Sequence, residues 1–328
     1  MGEADAVRVV AFGGGHGLSA SLRALRLLRQ QWSSERQPRS LDITAVVTVG
    51  DDGGSSGRLR AERGGLPPGD LRQALVALAD VDGPDGTLTA DLFQYRFDGD
   101  GPLSGHAVGN LALLGLMELL GDPVAALDHA AGMLDCCGRV LPMSRHAVSI
   151  EADVLGGEPA RPDDVVVVRG QHAVAVTPGA VRRIRLRPEH VATCVEVLSA
   201  VEAADWLIFG PGSWFTSVIP HLLLPELGAA VAASRAKRLV ILNLVAEKET
   251  HGLSLPEHLA ALTRYLPGLR VDVVLADGKA VGDPEPVHRA AETLGARLSL
   301  APVAAPDGSA RHDPAALAAA LEAVLGLP

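Results

Sequence analysis

Short apolar runs alternate with helix-like patterns along most of the chain. Residues 8–12 and 43–49 are rich in β-branched side chains and end in glycine-rich turns, which is typical of buried strands. Leucines between residues 22 and 28 then recur at helical spacing, which predicts a first β–loop–α unit. Comparable apolar runs return later, each far enough from the next for a crossover helix: 206–209, 238–242 and 271–275. This alternation predicts an α/β fold, a doubly wound and mostly parallel sheet with helices on both faces.

The pattern changes between about residues 141 and 186. Segments at 148–154 and 183–186 alternate apolar and polar positions with period two, residues 165–169 are a short β-branched run, and glycine and proline separate the three. Period two is the strand signature of a sheet with one solvated face. The chain therefore carries a small β-rich insertion.

Composition and charge narrow the class of protein. The length of 328 residues allows one large domain or two modest ones, and the formal net charge of −10 disfavours a nucleic-acid surface. A local anion site is still compatible with that charge, because backbone N–H groups bind anions without any net positive charge. We find no uninterrupted apolar run of about 18 residues and no export signal, so we expect a cytoplasmic protein without membrane insertion. The three cysteines indicate ordinary reduced thiols.

The first glycine-rich loop is Gly13-Gly14-Gly15-His16-Gly17, directly after the first strand. Glycines at a strand-to-helix junction let the backbone approach a phosphate, and the helix N-terminus adds partial positive charge. No Gly-Lys-Ser/Thr follows, and the third glycine of a dinucleotide fingerprint is replaced by Leu18. We expect this loop to contact a ligand. A purely structural turn is the alternative.

The second loop, residues 50–58, holds two adjacent carboxylates. Asp51 and Asp52 lie where nucleotide-binding folds place an acid for ribose hydroxyls, and they also suit Mg²⁺ or a solvated turn. Asp70 begins a later helix, and N-capping alone would account for it. Glycine, serine and arginine crowd the same loop and favour a ligand site: Gly53, Ser55, Ser56 and Arg58.

Two further loops complete the set of candidates. His106 and Asn110 are four residues apart at a helix start, so they share one helical face and reach either a ligand or backbone groups. Gly210, Gly212 and Ser213 follow the strand at 206–209 and resemble a helix start that offers amides and hydroxyls to an anion. Ligands of doubly wound sheets bind beyond the carboxyl ends of the strands, so the loops predict one convergent cleft. We find no Gly-x-Ser-x-Gly elbow and no His-Glu-x-x-His motif.

At these loops the chain closely resembles the YvcK-like gluconeogenesis-factor family. The matching stretches are residues 13–19 (GGGHGLS), 46–60 (VVTVGDDGGSSGRLR), 67–72 (PPGDLR), 92–97 (LFQYRF), 105–111 (GHAVGNL), 210–213 (GPGS) and 311–314 (RHDP). They extend over nearly the whole chain, which indicates one CofD/YvcK-like domain over residues 1–328 with the insertion at about 141–186.

The resemblance implies a Rossmann-like domain that binds UDP-sugars such as UDP-N-acetylglucosamine. The family that the chain resembles is related in fold to CofD, the transferase that moves phospholactate onto a deazaflavin. It implies a cytoplasmic bacterial protein linked to carbon metabolism, cell shape and cell-wall synthesis. It also places Arg311 at the ligand and makes Asp52 and Asp70 candidate ligands for Mg²⁺, since the transferase branch uses acids after its second strand.

The chain departs from the family pattern at two places. His16 stands where the family commonly has threonine, and residues 249–254 read ETHGLS where the family pattern is nearer to ETDGYT. Leu253 thus replaces an aromatic residue.

We expect a UDP-sugar-binding regulatory protein without turnover, acting on an unidentified protein partner and compatible with a homodimer. The alternative is a Mg²⁺-dependent transferase of the phospholactate or nucleotidyl type, whereas the glycine spacing disfavours a nicotinamide dehydrogenase.

Overall fold

The computed structural model describes residues 6–35, 39–81, 84–158, 160–245, 248–250 and 253–326. Its strands form a seven-stranded main sheet and a three-stranded small sheet. The main sheet contains β1 (Val7–Gly13), β2 (Leu41–Val47), β3 (Arg139–Pro142), β7 (Trp206–Phe209), β8 (Lys237–Ile241), β9 (Val273–Asp277) and β10 (Arg297–Ala301). The small sheet contains β4 (Ser149–Leu155), β5 (Val165–Arg169) and β6 (Ala180–Arg187).

Fourteen α-helices and two irregular helical turns connect these strands within the described ranges. They are α1 (Gly15–Ser33), α2 (Gly54–Arg63), α3 (Pro68–Leu78), α4 (Pro84–Gln94), α5 (Val108–Leu120), α6 (Pro123–Met133), α7 (Gln171–Ala175), α8 (Val195–Ala203), α9 (Ile219–Leu223), α10 (Pro225–Ala233), α11 (Leu255–Tyr265), α12 (Gly278–Val281), α13 (Glu285–Thr293) and α14 (Pro314–Leu325), with a π-helical turn at Trp214–Val218 and a 3₁₀ turn at Lys248–Thr250.

The main sheet is parallel throughout and runs in the order β10-β9-β8-β7-β1-β2-β3. The chain therefore builds outward from β1 in one direction and from β7 in the other. This confirms the predicted doubly wound sheet. Because right-handed crossovers put the helices of the two halves on opposite faces, α1, α3 and α14 pack together on one side and α8, α9 and α10 on the other. The reversal of order leaves a crevice beyond the carboxyl ends of β1 and β7.

Aromatic packing joins the two halves of the sheet at this reversal. Phe12 of β1 pairs in register with Phe209 of β7, and their rings stack with centroids 4.9 Å apart. Both side chains are fully buried, and His221 contacts the Phe12 ring edge-on. The strand ends that carry the first loop and the loop at residues 210–213, the fourth loop, are thus held side by side.

The predicted β-rich insertion is confirmed as an antiparallel sheet in the order β5-β4-β6. Its strands begin at Ser149, whereas Leu141 belongs to β3 at the edge of the main sheet. The apolar run around Leu141 is too short to reveal by its pattern which sheet it joins.

No single helix in the described ranges has the length and apolar composition to cross a membrane. The bent pair formed by Trp214–Leu223 and Pro225–Ala233 meets those criteria only when its two helices are taken together.

Candidate functional site

A cavity of ≈ 760 Å³ lies at the carboxyl-end edge of the main sheet. The loops after β1, β7 and β8 form part of its wall, and the start of α3 contributes Asp70 and Arg72 to its lining. Residues 305–314, which precede and begin α14, close another side. A cavity is therefore present at the predicted edge of the sheet, lined by some of the predicted loops, and its lining is mainly polar.

Close backbone approach explains the glycines of the first loop. A Cβ on Gly14 would lie 2.5 Å from an Asp70 carboxylate oxygen, and one on Gly17 would lie 2.3 Å from the Pro211 carbonyl oxygen. Gly15 has a φ of +55°, in the left-handed region that favours glycine. Exposed His16 also lines the cavity. The first and fourth loops are thus in direct contact, as their position on neighbouring strands requires.

Gly13 has a different place from the rest of its loop. It is buried at the end of β1, and its carbonyl accepts a hydrogen bond of 3.0 Å from the Thr48 N–H. It does not belong to the cavity lining.

The fourth loop is fixed by side chains on both sides. The Gly212 N–H donates to Asn243 Oδ1 at 2.8 Å, and Asn243 Nδ2 donates back to the Gly212 carbonyl at 2.9 Å. Ser21 Oγ donates to the Gly210 carbonyl at 2.9 Å. Gly212 and Ser213 line the cavity, while Gly210 lies behind it. This loop therefore forms a wall of the cavity that packs directly against Gly17.

The two adjacent aspartates of the second loop point to different places. Asp51 lines the cavity, and its Oδ1 accepts from the Gly53 N–H at 2.9 Å. Asp52 is exposed, and its Oδ1 accepts from the His172 N–H at 2.8 Å, where α7 begins. The carboxylates that share the cavity are therefore Asp51 and Asp70, and Asp52 lies outside it.

Asp70 is buried in the first turn of α3, and the N-cap of this helix is Pro67, so the predicted N-cap role of Asp70 is wrong. Burial raises the pKa of its carboxyl from 3.8 to about 7, and the negative charge of Asp51 contributes to the rise. A hydrogen bond from the Gly15 N–H and the positive charge of Arg72 oppose the rise. Asp70 therefore changes its charge near neutral pH while it lies directly beneath the first glycine loop.

Arg72 is the most deeply buried charged side chain at the cavity, with 2% of its surface exposed. Burial and neighbouring Arg96 lower its pKa to about 10, so it remains a cation at neutral pH. Its guanidinium donates to Gln94, and its Nε donates to Asn110 Oδ1 at 2.8 Å. Within the part of the chain that the structure describes, no carboxylate oxygen lies within 4.0 Å of it. Its charge is thus available to an anion in the cavity.

A buried hydrogen-bond chain holds Arg72 from behind. Asn110 Nδ2 donates to Ser55 Oγ at 3.0 Å, and Ser55 Oγ lies 2.9 Å from His106 Nδ1. Burial lowers the pKa of His106, which favours the neutral ring. These three residues do not line the cavity, so their contribution is to orient Arg72.

The remaining residues of the second loop make local contacts. Ser56 Oγ accepts from the Gly69 N–H at 2.9 Å, which fixes the start of α3. Exposed Arg58 donates to the Ser104 carbonyl. Both lie outside the cavity lining.

The wall formed by residues 305–314 contains Arg311. This exposed arginine lies 4.0 Å from Asp307 and faces the cavity. Asp277 holds the base of the wall, because its Oδ2 accepts from the N–H groups of Val303 and Ala304 at 2.9 and 3.0 Å. Its Oδ1 accepts two more backbone N–H groups at the start of α12.

Replacing Asp277 by asparagine is expected to lower the free energy of unfolding by about 1–3 kcal/mol, because buried backbone donors lose a charged acceptor. Although burial opposes ionisation, the four N–H donors lower the pKa of Asp277 below its ordinary value of 3.8. A depressed pKa contributes stability above about pH 4 and loses it as the pH falls through the folded-state value. Urea unfolding of this variant at neutral and acidic pH tests the expectation. The matched control is Asp283→Asn, because exposed Asp283 accepts a hydrogen bond from one backbone N–H, that of Glu285. Equal costs for both variants would contradict the role given to Asp277.

Several cavity residues were not singled out from the sequence. They are Arg23, Arg72, Gln73, Gln94, Arg96, Gln171, His172, Ser217 and Asn243. Arg72, Gln94 and Arg96 stand within stretches that match the family, so the signal was present in the motifs. Leu253 packs against the core outside the cavity lining, and His251 and Gly252 lie outside the described residues.

The described residues contain no group of three or more histidine, cysteine or acidic side chains placed to hold a metal ion. Asp51 and Asp70 nevertheless form a carboxylate pair at the cavity. Mg²⁺ usually takes one or two carboxylates together with phosphate oxygens and water, so the pair fits that donor set.

Comparison with known proteins agrees with this architecture. A family model described as 2-phospho-L-lactate transferase CofD matches residues 9–298. A putative gluconeogenesis factor of Mycobacterium tuberculosis is 50% identical over 320 residues, which are 96% of this chain and 90% of that protein. The chain belongs to the gluconeogenesis-factor branch of the CofD family.

Other members of this family support the same assignment. The gluconeogenesis factor of Bacillus subtilis is 35% identical over 291 residues, 88% of this chain and 84% of that protein. A crystal structure of a UPF0052 family protein from Bacillus halodurans covers 96% of this chain and 99% of its own, with a TM-score of 0.82 and 33% identity. The resemblance to gluconeogenesis factors and the fold inferred from it are both confirmed.

Proposed function

We propose that this gluconeogenesis-factor family member binds a UDP-sugar of the UDP-N-acetylglucosamine or UDP-glucose type and acts as a regulatory protein. The observation that carries the proposal is the cavity itself, where a glycine loop at the β1/β7 reversal faces the buried cation Arg72. Its volume of ≈ 760 Å³ lies within the usual range of about 300–1,000 Å³ for small-molecule sites.

The diphosphate is expected to lie between the first loop and Arg72. Backbone N–H groups at the start of α1 and the partial positive charge of its N-terminus favour an anion there. Arg72 and Arg96 also line the cavity and supply full positive charges there, without any need for a basic protein overall. Polar groups of Asn243 and of the 305–314 wall are then available to the sugar and the base.

A regulatory role requires that ligand binding change the conformation of the protein. A ligand shifts a conformational equilibrium only when its affinities for the two states differ. The cavity walls belong to both halves of the sheet, so a ligand held between them biases how the halves and the 305–314 wall are arranged. The recipient of that change is a protein partner, in keeping with roles in central carbon metabolism, cell shape and cell-wall synthesis in the cytoplasm.

Titration calorimetry with UDP-N-acetylglucosamine tests the proposal. We expect saturable binding to the wild-type protein, and a Kd that is about 10–100-fold higher for Arg72→Gln, because a charge-assisted contact is worth about 1.5–3 kcal/mol. Arg63→Gln is the matched control, since Arg63 is exposed and pairs with Glu118 outside the cavity. The absence of heat with every UDP-sugar tried would refute the proposal, as would unchanged binding by Arg72→Gln.

The carboxylate pair supports a second candidate, a Mg²⁺-dependent transferase of the phospholactate or nucleotidyl type. Asp51 and Asp70 would hold the ion, and bound Mg²⁺ would neutralise charge on the phosphates of the substrate. The family model that matches carries the name of such a transferase. Incubation with a deazaflavin, activated phospholactate and Mg²⁺ tests this candidate. It fails if no product forms under conditions in which a reference transferase works.

A further inference from the structure

A second groove follows the free edge of the small sheet. Since β6 pairs only with β4 among the described strands, its other side is an open edge. The groove has a volume of ≈ 530 Å³ and shares no lining residue with the main cavity. Five consecutive β6 residues, 182–186, form one side, and Leu223, Arg264 and Tyr265 form the other.

Positive charge is concentrated along this groove. Its lining has four arginines and one glutamate, in a chain whose formal net charge is −10. Arg185 is engaged by Glu151 and Asp153, and Glu189 is engaged by Arg187. The other three arginines have no carboxylate oxygen within 4.0 Å in the described ranges: Arg182, Arg183 and Arg264. The groove therefore presents unpaired cations to solvent.

A β-bulge sets the direction of two of these cations. Asp153 pairs with Arg183 and Val154 pairs with Val181, which leaves Arg182 without a partner on β4. Bulges of this kind re-aim side chains at sheet edges. Arg182 and Arg183 are both exposed as a result, although they are neighbours on one strand.

Tyr265 adds a hydrogen-bond donor between the arginines. Its hydroxyl oxygen accepts from the Ile184 N–H at 2.8 Å, and its own proton has no acceptor among the described residues. Burial raises the pKa of Tyr265, while Arg264 and Arg183 act in the opposite direction, which places both cations near the hydroxyl. The phenol remains protonated and can donate at neutral pH.

The groove also has an apolar component. Ile184 and Leu186 are buried beside it, and Leu223 lines the facing side. Five strand residues span about 16 Å, the length of an extended peptide of similar size. A small inorganic anion would use the cations alone, whereas an extended peptide would use the cations, the donor and the apolar surface together.

We propose that this groove binds an extended acidic segment of a partner protein. Carboxylates of the segment bind Arg182, Arg183 and Arg264, and the Tyr265 hydroxyl donates to a carboxylate or carbonyl oxygen between them. Apolar side chains of the segment pack against Leu223 and the edge of β6. The apolar side of the groove, formed by Leu223 and the buried side chains of β6, favours a peptide over a nucleic acid as the occupant. The inference stands on its own residues and does not depend on what the main cavity binds.

Fluorescence anisotropy with the full chain and a labelled peptide of about eight residues, alternating glutamate and valine, tests this site. We expect saturable binding that weakens at least about tenfold in the double variant Arg182→Glu/Arg264→Glu, since two attractive contacts between exposed arginines and the acidic peptide become repulsive. The matched control is Arg235→Glu/Arg270→Glu, two exposed arginines outside the groove, and should bind like the wild type. Tyr265→Phe keeps the cations and should weaken binding by roughly 3–10-fold through the lost donor.

Four results would overturn the proposal. The first two are absence of saturable binding and equal binding by the charge-reversed protein. The third is tighter binding of single-stranded DNA of matched length than of the peptide. The fourth is full displacement of the peptide by phosphate when chloride at the same ionic strength does not displace it. Circular dichroism confirms that the double variant is folded. UDP-sugar titration of the same variant should be unchanged, which keeps this test separate from that of the main cavity.

Discussion

Replacing Gly17 by alanine is expected to raise the Kd for a UDP-sugar at least about 100-fold, since two or more contacts to the ligand are lost together. The new Cβ would lie 2.3 Å from the Pro211 carbonyl oxygen and 2.5 Å from Gly212 Cα. Both are backbone atoms of a loop held by Asn243, so the first and fourth loops must separate. We also expect the free energy of unfolding to fall by about 1–3 kcal/mol, as for other overpacked sites. Calorimetry and urea unfolding measure the two effects.

Gly115→Ala is the matched control for this change. Gly115 lies inside α5, and a Cβ there would meet no atom within 4 Å. This variant should bind the ligand like the wild type and gain up to about 1 kcal/mol of stability from the better helix former. Wild-type affinity in the Gly17 variant would show that contact between the two loops is not required for binding.

Replacing Asp70 by asparagine is expected to stabilise the unliganded protein at about pH 8. The folded-state pKa of about 7 lies above the ordinary value of 3.8, so Asp70 contributes stability below about pH 4 that is lost as the pH rises through 7. Since one pKa unit corresponds to about 1.4 kcal/mol, ionising Asp70 in the folded protein costs on the order of 4 kcal/mol. Asparagine never ionises, so the advantage of the variant should be largest at about pH 8 and should shrink toward acidic pH.

Urea unfolding of both proteins across this pH range tests the expectation. Asp51→Asn is the informative companion, because removing the neighbouring charge should lower the pKa of Asp70 and reduce the pH dependence only in part. If the pair holds Mg²⁺, added Mg²⁺ stabilises the wild type at about pH 8 and leaves Asp70→Asn unaffected. A stability difference that does not vary with pH would contradict the assignment of a raised pKa to Asp70.

The fold was predictable because its signals are local. Apolar runs that end in glycine marked β1, β2 and β7, and the change to period two marked the small sheet. The contact between Gly17 and Pro211 was not predictable from periodicity. It depends on β7 lying next to β1, a long-range pairing that no local pattern encodes.

The candidate site shows the same limit at the level of side chains. Asp51 and Asp52 look equivalent in sequence, but Asp52 turns to His172, 120 residues away in the small-sheet region. The predicted helical face shared by His106 and Asn110 is wrong, because His106 precedes α5, whose N-cap is Ala107. Asn110 instead contacts Arg72 directly, and Ser55 joins His106 to Asn110. Only tertiary structure shows which polar groups face a ligand and which hold those that do.

The most direct test is a crystal structure of the protein with UDP-N-acetylglucosamine. We expect the diphosphate within hydrogen-bond distance of the backbone N–H groups of His16 and Gly17 and of the Arg72 guanidinium, with the sugar and base against Asn243 and the 305–314 wall. A ligand bound outside this cavity, or a cavity without ligand at saturating UDP-sugar, would contradict the proposed function.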